Sequence, residues 1–403
     1  MEVTTALHSP SADHTHPVMA RTSEQFRLKG RRIIIVVGTL ELGGAERQAL
    51  RLADYLAKEE KALVEFWALG QDGIVAEALA ERDIPLRRVP VNWFTNRKLS
   101  KLRDLFKLAM AFRQVRPDAI LSYLIVPNVA CGLIWRWSGA QLCVWNQRCA
   151  GTDRLGQRIE QLAIRRVPWF ATNSTGGAEF LTKTLGAPVD RVRVIRNAIE
   201  LTPPVKDRNT WRRELEIPEQ VFVATMVANL SPYKDHYTLI RAWRHVLDEI
   251  GDDSAKLLLA GRSEYRVAEL KALAFDLQLG NTIRFLGPVS DIAGLWSASD
   301  LAVLSSVSEG SPNAILEAMA MALPAVGTDN PGMREVLGPD ASEFLAPSKD
   351  AQVLADRITK FAKNRSLAQE VGIKNKRRVE SEYDPQVNCQ SMATLIADGL
   401  RST

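Results

Sequence analysis

The sequence is poor in cysteine and contains no long apolar run. Four cysteines occur in 403 residues, with neither CxxC spacing nor a neighbouring histidine: Cys131, Cys143, Cys149 and Cys389. This pattern argues against a disulfide framework and against a zinc site, and it is typical of reduced, mostly buried thiols. No stretch approaches the roughly 18–20 apolar residues that a membrane span needs. We therefore expect a cytoplasmic protein.

Several motifs of common enzyme classes are missing as well. The glycine-containing turn at 38–44 lacks the G-x-G-x-x-G spacing of dinucleotide-binding folds and the Lys-Ser/Thr end of a P-loop. This absence disfavours a dehydrogenase and a P-loop NTPase. There is no G-x-S-x-G nucleophile elbow. No D-x-D pair is available for a divalent metal either, so we expect neither a metal nor a cofactor.

The charge is distributed unevenly along the chain. Residues 1–200 contain 29 Lys and Arg against 20 Asp and Glu, a formal charge of +9, whereas residues 201–403 contain 23 against 27, a charge of −4. A basic first half favours an anionic partner, and segment 92–116 combines basic residues with Trp93 and Phe94. We expect peripheral attachment to the inner leaflet of a membrane and no nucleic-acid partner. The alternative is a solvated helix face above core aromatics.

Short β-rich runs alternate with helical runs twice along the chain, which predicts two doubly wound α/β domains with a cleft between them. We assign residues 31–200 to the first domain and residues 201–384 to the second. The segment around Pro203 and Pro204 is predicted to be an extended linker, and a C-terminal helix at 385–403 is expected to complete the first domain. Residues 1–30 are polar and show no periodicity, so we expect a disordered tail.

Two carboxylates, Glu309 and Glu317, lie eight positions apart around a predicted helix start. Ser311 is a good N-cap residue and Pro312 a good first helical residue. The unpaired N–H groups of a helix start suit a phosphate or the polar face of a sugar. The residues after Asn313 are mainly apolar, so Glu317 should lie near a buried face and need partners. The alternative is a pair of surface carboxylates.

Two other loops follow predicted strands. Gly43 and Gly44 come after the first strand and let the backbone approach a ligand closely before a helix begins. Lys234 follows the first strand of the second half and is placed to meet a diphosphate. The alternatives are a helix-start turn without a ligand and a solvated lysine.

Together these residues resemble the retaining nucleotide-sugar glycosyltransferases of family 4, the group 1 transferases, which have the GT-B fold. The resemblance covers about 360 residues, from Arg32 to near the C-terminus, and its most specific part runs from Ser299 to Pro324. Weaker matches agree with it in order and spacing; they are the segments 43–47, 196–199, 260–262 and 285–287 together with Lys234.

The resemblance implies a role for each residue of the donor site. Lys234 would contact the donor diphosphate, Glu317 the nucleotide ribose and Glu309 the sugar ring. Backbone N–H groups in the segment 310–313 would hold sugar or phosphate oxygens; this segment is Gly310, Ser311, Pro312 and Asn313. Gly43 and Gly44 would approach the phosphates from the other domain.

The resemblance also implies the reaction. A nucleoside diphosphate departs and the acceptor hydroxyl attacks the same face of the sugar, with no metal and with the leaving phosphate taking the proton. The acceptor would be a saccharide or a lipid-linked saccharide, and the product a cell-surface glycan.

The chain departs from the family pattern in two places. Asn229 stands where members usually carry an arginine, and Arg262 is the candidate substitute. No histidine occurs between His16 and His236, although many members carry one in the first domain. The acceptor contacts proposed from sequence are Asn128, Arg148 and Asp153. Two other functions stay open: a nucleotide-sugar epimerase or hydrolase of the same fold, and a silent nucleotide-sugar-binding protein.

Overall fold

The structure is a computed structural model, and it describes residues 27–41, 43–94, 97–149, 151, 154–262 and 266–402. Most of the predicted N-terminal tail lies outside these residues. Its last four residues do not fit the prediction of disorder, because they form a turn in which Leu28 is fully buried in a hydrophobic core. The backbone N–H of Gly30 also donates to the carbonyl of Lys61 at 3.0 Å. The ordered chain therefore begins before the predicted boundary.

The first half of the chain forms a parallel sheet of seven strands in the order β3-β2-β1-β4-β5-β6-β7. The strands are β1 (Arg32–Val37), β2 (Leu63–Ala68), β3 (Leu86–Arg88), β4 (Ala119–Tyr123), β5 (Leu142–Gln147), β6 (Trp169–Thr172) and β7 (Val192–Val194). Pairing continues in one direction from β1 to β3 and in the other from β1 through β4, so the order reverses at β1. Ligands of such sheets bind beyond the carboxyl ends of the strands at this point.

Helices cover both faces of this sheet. They are α1 (Gly44–Lys58), α2 (Val75–Ala80), α3 (Lys98–Val115), α4 (Ile125–Ser138), α5 (Gln157–Ile164) and α6 (Thr175–Glu179), which a π-helical turn continues. The C-terminal helix α15 (Pro385–Arg401) packs with α1 and α2 on one face, where Cys389, Met392 and Ile396 join the core. The helices α3, α4 and α5 form the core on the other face.

The second half forms a parallel sheet of six strands in the order β10-β9-β8-β11-β12-β13. The strands are β8 (Phe222–Val227), β9 (Ala255–Ala260), β10 (Ile283–Gly287), β11 (Leu301–Leu304), β12 (Ala325–Thr328) and β13 (Leu345–Ala346). The helices are α7 (Arg208–Glu214), α8 (His236–Ile250), α9 (Val267–Asp276), α10 (Ile292–Ala298), α11 (Asn313–Ala320), α12 (Pro331–Leu337), α13 (Ala351–Ala362) and α14 (Arg365–Glu382). The short elements β3, β13 and α7 lie where the sequence predicts neither a strand nor a helix.

The linker between the two sheets is attached to the second half. The carboxylate of Asp291, which caps α10, accepts from the backbone N–H groups of Val205 and Lys206 at 3.0 Å each. The chain returns to the first half beside the linker, because the N–H of Ile199 donates to the carbonyl of Tyr383 at 3.2 Å. Two adjacent chain segments, the linker and the segment after Tyr383, thus join the halves. Among the described residues, no helix is long and apolar enough to cross a membrane.

His236, the first residue of α8, is buried beside the predicted diphosphate loop. Within the described part of the chain its Nε2 has no hydrogen-bond partner. Burial and, to a smaller extent, the nearby Lys234 lower the pKa of His236 to about 4, while Asp235 opposes the shift. The imidazole is therefore neutral at neutral pH in the folded protein.

This burial predicts a loss of stability in mild acid. The unfolded chain takes up a proton at His236 near pH 6.5, but the folded chain does so only near pH 4, so the contribution of this group falls by about 2 kcal/mol from pH 7 to pH 5. Urea denaturation at the two pH values measures the loss. His236→Gln should show a smaller loss, whereas His245→Gln, at a half-buried position on the same helix, should behave like the wild type. Equal losses in the wild type and His236→Gln would contradict the assignment.

Candidate active site

Two helix N-termini meet where the two halves face each other. Helix α1 begins at Gly44 after an extended Gly43, and the buried carboxylate of Glu46, in its first turn, lies beside the backbone N–H of Gly43. Helix α11 begins at Asn313, and its N-cap residue Pro312 offers no side-chain acceptor. A Cβ added at Gly44 would lie 2.9 Å from Nδ2 of Asn313, so a side chain here would have to displace the Asn313 amide. The partial positive charges of the two helix starts therefore lie close together.

The start of α11 differs by one residue from the prediction that Ser311 caps the helix and Pro312 is its first residue. Pro312 has extended backbone angles and is itself the N-cap. Tertiary contacts hold this turn, because Asn197 Nδ2 donates to the carbonyl of Ser311 at 3.1 Å and to Oδ1 of Asn313 at 2.7 Å. Nδ2 of Asn313 in turn donates to the carbonyl of Gly44 at 3.4 Å.

Lys234 and Glu309 form an ion pair, with Nζ 2.5 Å from Oε1. Their two loops are joined by the backbone, since the N–H of Val307 donates to the carbonyl of Tyr233 at 2.8 Å. The hydroxyl of Ser305 also donates to the carbonyl of Lys234 at 3.1 Å. Both side chains are largely buried, so the structure brings a cation and a carboxylate together just before α11.

Glu317 lies one turn inside α11 and is almost fully buried. Its Oε1 lies 2.8 Å from Nη1 of Arg47, a residue of α1 in the other half. Burial raises the pKa of Glu317, while Arg47 and Arg51 act to lower it. Among the described residues nothing donates to Oε2 of Glu317, and Nε of Arg47 is likewise without a partner. The pair therefore keeps hydrogen-bonding groups available for a ligand.

Asn229 and Arg262 are neighbours in the structure. The predicted role of Arg262, as the substitute for the arginine that is missing at position 229, requires this. The backbone N–H of Arg262 donates to Oδ1 of Asn229 at 3.2 Å. The guanidinium of Arg262 reaches across to the first half, with Nη1 3.2 Å from Oε2 of Glu41. A Cβ at Gly261 would lie 2.0 Å from the carbonyl oxygen of Ala228, so glycine lets the two loops touch.

Polar side chains at the ends of β4, β5 and β6 form a polar floor beneath these loops; they are Tyr123, Asn146, Arg148 and Asn173. The guanidinium carbon of Arg148 lies 4.9 Å from the centre of the Tyr123 ring. Both amide atoms of Asn146, Nε of Arg148 and Oδ1 of Asn173 are buried and have no partner within the described ranges. Such atoms are rare in folded proteins and mark places for a ligand or ordered water.

The second half lies directly on this floor. A Cβ added at Gly310 would come within 2.7 Å of the carbonyl oxygen of Arg148 and 3.0 Å of Oδ1 of Asn173. Nη1 of Arg148 donates to Oδ1 of Asn197 at 3.2 Å. Gly310 follows Glu309, so the polar floor and the Lys234–Glu309 pair adjoin the same loop.

Of the three residues predicted to contact the acceptor, the structure describes Arg148 and Asn128. Arg148 lies in the cleft, as described above. Asn128 is fully buried inside the first half, where Oδ1 accepts from Oγ of Ser122 at 2.8 Å and Nδ2 donates to the carbonyl of Asn146 at 2.9 Å. Its amide is used within the fold, which corrects its proposed contact with an acceptor. Asp153 lies outside the described residues.

Sequence reasoning did not assign Arg47, Tyr123, Asn146 or Asn173 to the site. The sequence did offer an indication for Asn146, since it is a polar residue at the end of a strand whose first four residues are apolar. The sequence gives no comparable indication for Arg47, because an arginine in the first turns of a helix is ordinarily a surface residue. In the part of the chain that the structure describes, no group of His, Cys, Asp and Glu is arranged to hold a metal ion.

Two family models match the chain. The model described as Glycosyltransferase Family 4 matches residues 42–202, and the model described as Glycosyl transferases group 1 matches residues 207–378. Together they cover most of both halves.

Curated relatives agree with these models. The chain is 26% identical over 223 residues to the putative colanic acid biosynthesis glycosyltransferase WcaL of Salmonella typhimurium, covering 53% of each chain. It is 27% identical over 220 residues to the amylovoran biosynthesis glycosyltransferase AmsK of Erwinia amylovora, covering 53% of this chain and 52% of AmsK. The chain thus matches about half the length of these relatives.

A solved structure extends the comparison to the whole fold. HepE of Anabaena matches with a TM-score of 0.79 at 20% sequence identity, covering 91% of this chain and 100% of HepE. The prediction of two doubly wound domains that face each other in a GT-B fold is confirmed. This chain belongs to the group 1 glycosyltransferases of family 4.

Proposed function

We propose that this protein transfers a sugar from a nucleoside diphosphate sugar to a hydroxyl of a saccharide or lipid-linked acceptor, with retention of anomeric configuration and without a metal ion. The observation that carries the proposal is the meeting of two helix N-termini, those of α1 and α11, from opposite halves. Such termini favour an anion. The carboxylates Glu309 and Glu317 flank them on the side of the second half, so one ligand can meet both donors and acceptors.

The nucleotide end of the donor is assigned to Glu317. A ribose offers two neighbouring hydroxyl groups, and a carboxylate accepts two hydrogen bonds side by side. Oε2 of Glu317 has no partner among the described residues, while Oε1 is held by Arg47. The ion pair orients the carboxylate, and the buried surroundings strengthen each hydrogen bond that it makes.

The diphosphate is assigned to Lys234, Arg262 and the N–H groups at the start of α11. These groups would stabilise the negative charge that develops as the nucleoside diphosphate leaves. Asn229, at the position where the family usually has an arginine, accepts a hydrogen bond from the backbone of Arg262. It therefore helps to position the arginine that would take over this role. Glu309, beside Lys234, is assigned to the sugar ring.

The acceptor is assigned to the polar floor. In the transfer step the bond between the anomeric carbon and the diphosphate oxygen breaks, and a bond to the acceptor oxygen forms on the same face of the sugar. The acceptor's proton passes to the leaving phosphate, so no protein base is required. His236, the histidine next to Lys234, is held neutral and buried, which gives no support to an epimerase reaction that needs an exposed acid or base.

The relatives indicate where to begin a substrate search. WcaL and AmsK are named for the biosynthesis of colanic acid and amylovoran, which supports a role in glycan synthesis. The structure of HepE contains UDP and glucose, so UDP-glucose is the first donor to test. We place the reaction at the cytoplasmic face of the membrane.

Glu317→Ala should weaken UDP binding by about tenfold or more and abolish transfer, because it removes a buried charged acceptor. The thermal shift produced by saturating UDP measures binding, since a ligand of the folded state raises its melting temperature. Glu343→Ala, at an exposed position in the same half, is the matched control. Unchanged transfer by Glu317→Ala would refute the site, and UDP binding without transfer in the wild type would favour a silent binding protein.

The stereochemistry and the metal requirement are tested with the wild-type enzyme. We expect NMR of the first product to show the same anomeric configuration as the donor. We expect EDTA to leave the initial rate unchanged, because protein cations and N–H groups carry the charge of the leaving group. An inverted product, or a rate that falls with EDTA and returns with Mg²⁺, would contradict this mechanism.

Substitutions of two buried asparagines in the first half, Asn146 and Asn128, distinguish a binding role from a structural one. Asn146→Leu removes amide atoms that have no partner in the described structure, so it should leave stability unchanged or higher while raising the acceptor KM about fivefold or more. Asn128→Leu breaks two internal hydrogen bonds and should lower the free energy of unfolding by about 2 kcal/mol, with the acceptor KM unchanged. Denaturation and steady-state kinetics measure both. If Asn146→Leu leaves the acceptor KM unchanged, the polar floor does not bind the acceptor.

A further inference from the structure

Helix α3 is apolar on two opposite faces, and only one of them is used by the fold. Its inner face packs in the first half, where Leu105, Leu108 and Phe112 are buried and Phe112 stacks on Trp67 with ring centres 4.7 Å apart. Its outer face consists of Leu99, Leu102, Phe106 and Met110, which are between 41% and 83% exposed. Their spacing of three, four and four residues places them in one stripe along the helix.

The exposed apolar side chains at α3 are more than the single scattered ones that are normal on a protein surface. Phe94, just before the helix, is 81% exposed and extends the apolar surface beyond its N-terminal end. The neighbouring helix α4 ends with Trp137, which is also exposed. By contrast, Phe275 on α9 is exposed to the same degree as Phe94 but is the only large exposed apolar side chain on that helix. Several exposed apolar side chains in one stripe of a single helix mark an interaction site.

Basic residues border the outer face. The exposed cations of α3 are Lys98, Arg103, Lys107 and Arg113. Asp104 is the one acidic residue of the helix, and it is buried, where it accepts from the backbone N–H of Asn92 at 3.3 Å. The solvent side of α3 therefore presents apolar side chains framed by positive charge alone.

We propose that the outer face of α3, together with Phe94, docks on the surface of an anionic phospholipid bilayer. A helix with Leu and Phe on one face and flanking Lys and Arg lies in the membrane interface, with its apolar side chains at the acyl boundary and its cations at anionic headgroups. A second copy of this chain is a poor occupant, because a symmetric contact would bring the bordering cations of both copies together. The docking does not depend on the proposed activity.

The orientation of α3 connects this surface to the cleft. The helix links the parallel strands β3 and β4, so it runs opposite to them and begins at the edge of the sheet where the strands end. That edge carries the start of α1 and the polar floor. Docking through Phe94 and the first turns of α3 therefore holds the opening of the cleft near the bilayer, where a lipid-linked acceptor would be presented.

Vesicle flotation of the full chain tests the docking. We expect binding to phosphatidylcholine vesicles that contain phosphatidylglycerol, weak binding to phosphatidylcholine alone, and partial loss of binding at high salt because the ionic part is screened. A wild-type protein that does not float with the anionic vesicles at low salt would overturn the proposal.

Substitutions on α3 locate the surface. Leu102→Ser combined with Phe106→Ser should reduce vesicle binding about tenfold or more, with the melting temperature unchanged because both side chains are exposed. Phe275→Ser, which removes an even more exposed aromatic side chain on α9, should bind like the wild type. Equal binding by the double variant and the wild type would contradict the placement.

Charge-reversal variants separate the ionic contribution to vesicle binding from the apolar contribution. Lys98→Glu combined with Lys107→Glu should abolish the preference for anionic vesicles, while Lys376→Glu combined with Arg377→Glu, on the exposed side of α14, should keep it. Light scattering reports self-association in the same samples. A wild-type dimer that Leu102→Ser with Phe106→Ser converts to monomer, without vesicle binding, would make the outer face an interface between copies and overturn the proposal.

Discussion

The carboxylate of Glu317 lies buried on α11, and the cation beside it, Arg47, belongs to the opposite half of the chain. Removing an ion from water costs several kcal/mol unless a partner compensates for the lost hydration. A charged Glu317 is therefore stabilised when α1 faces α11, and the relative position of the two sheets is coupled to the state of one side chain. Because one oxygen of Glu317 remains without a partner among the described residues, the same pair can hold the halves together and still receive a ligand.

Close contact between the two halves depends on glycine and asparagine. Side chains at Gly44 or Gly310 would collide with Asn313 and with the backbone of Arg148, so the halves approach where a Cβ is absent. Asn197 then joins them by donating to Ser311 and Asn313 while accepting from Arg148. This arrangement brings the N-termini of α1 and α11 close together, which supports the proposed position of the phosphates.

The sequence pattern predicted the architecture well because alternating strands and helices of ordinary length leave a strong periodic signal. The sequence predicts strands at 32–37 and 221–227 and a helix at 100–116, close to the observed β1, β8 and α3. The short elements β3, β13 and α7 were missed because two to seven residues carry too little periodicity. Residues 27–30 were predicted to be disordered, and this was wrong because the burial of Leu28 depends on distant residues of the core.

At the site, the sequence by itself indicated Lys234, Glu309 and Glu317 as candidates, since they occupy turns and helix starts whose chemistry is local, and their contacts with a donor stay a prediction. Only the tertiary structure decided that Arg47 faces Glu317 and that Asn128 is used inside the fold. It also decided that Asn146 and Asn173 share a polar floor and that one face of α3 is left uncovered. These features depend on contacts between residues far apart in the chain, and neither periodicity nor spacing along one segment contains that information.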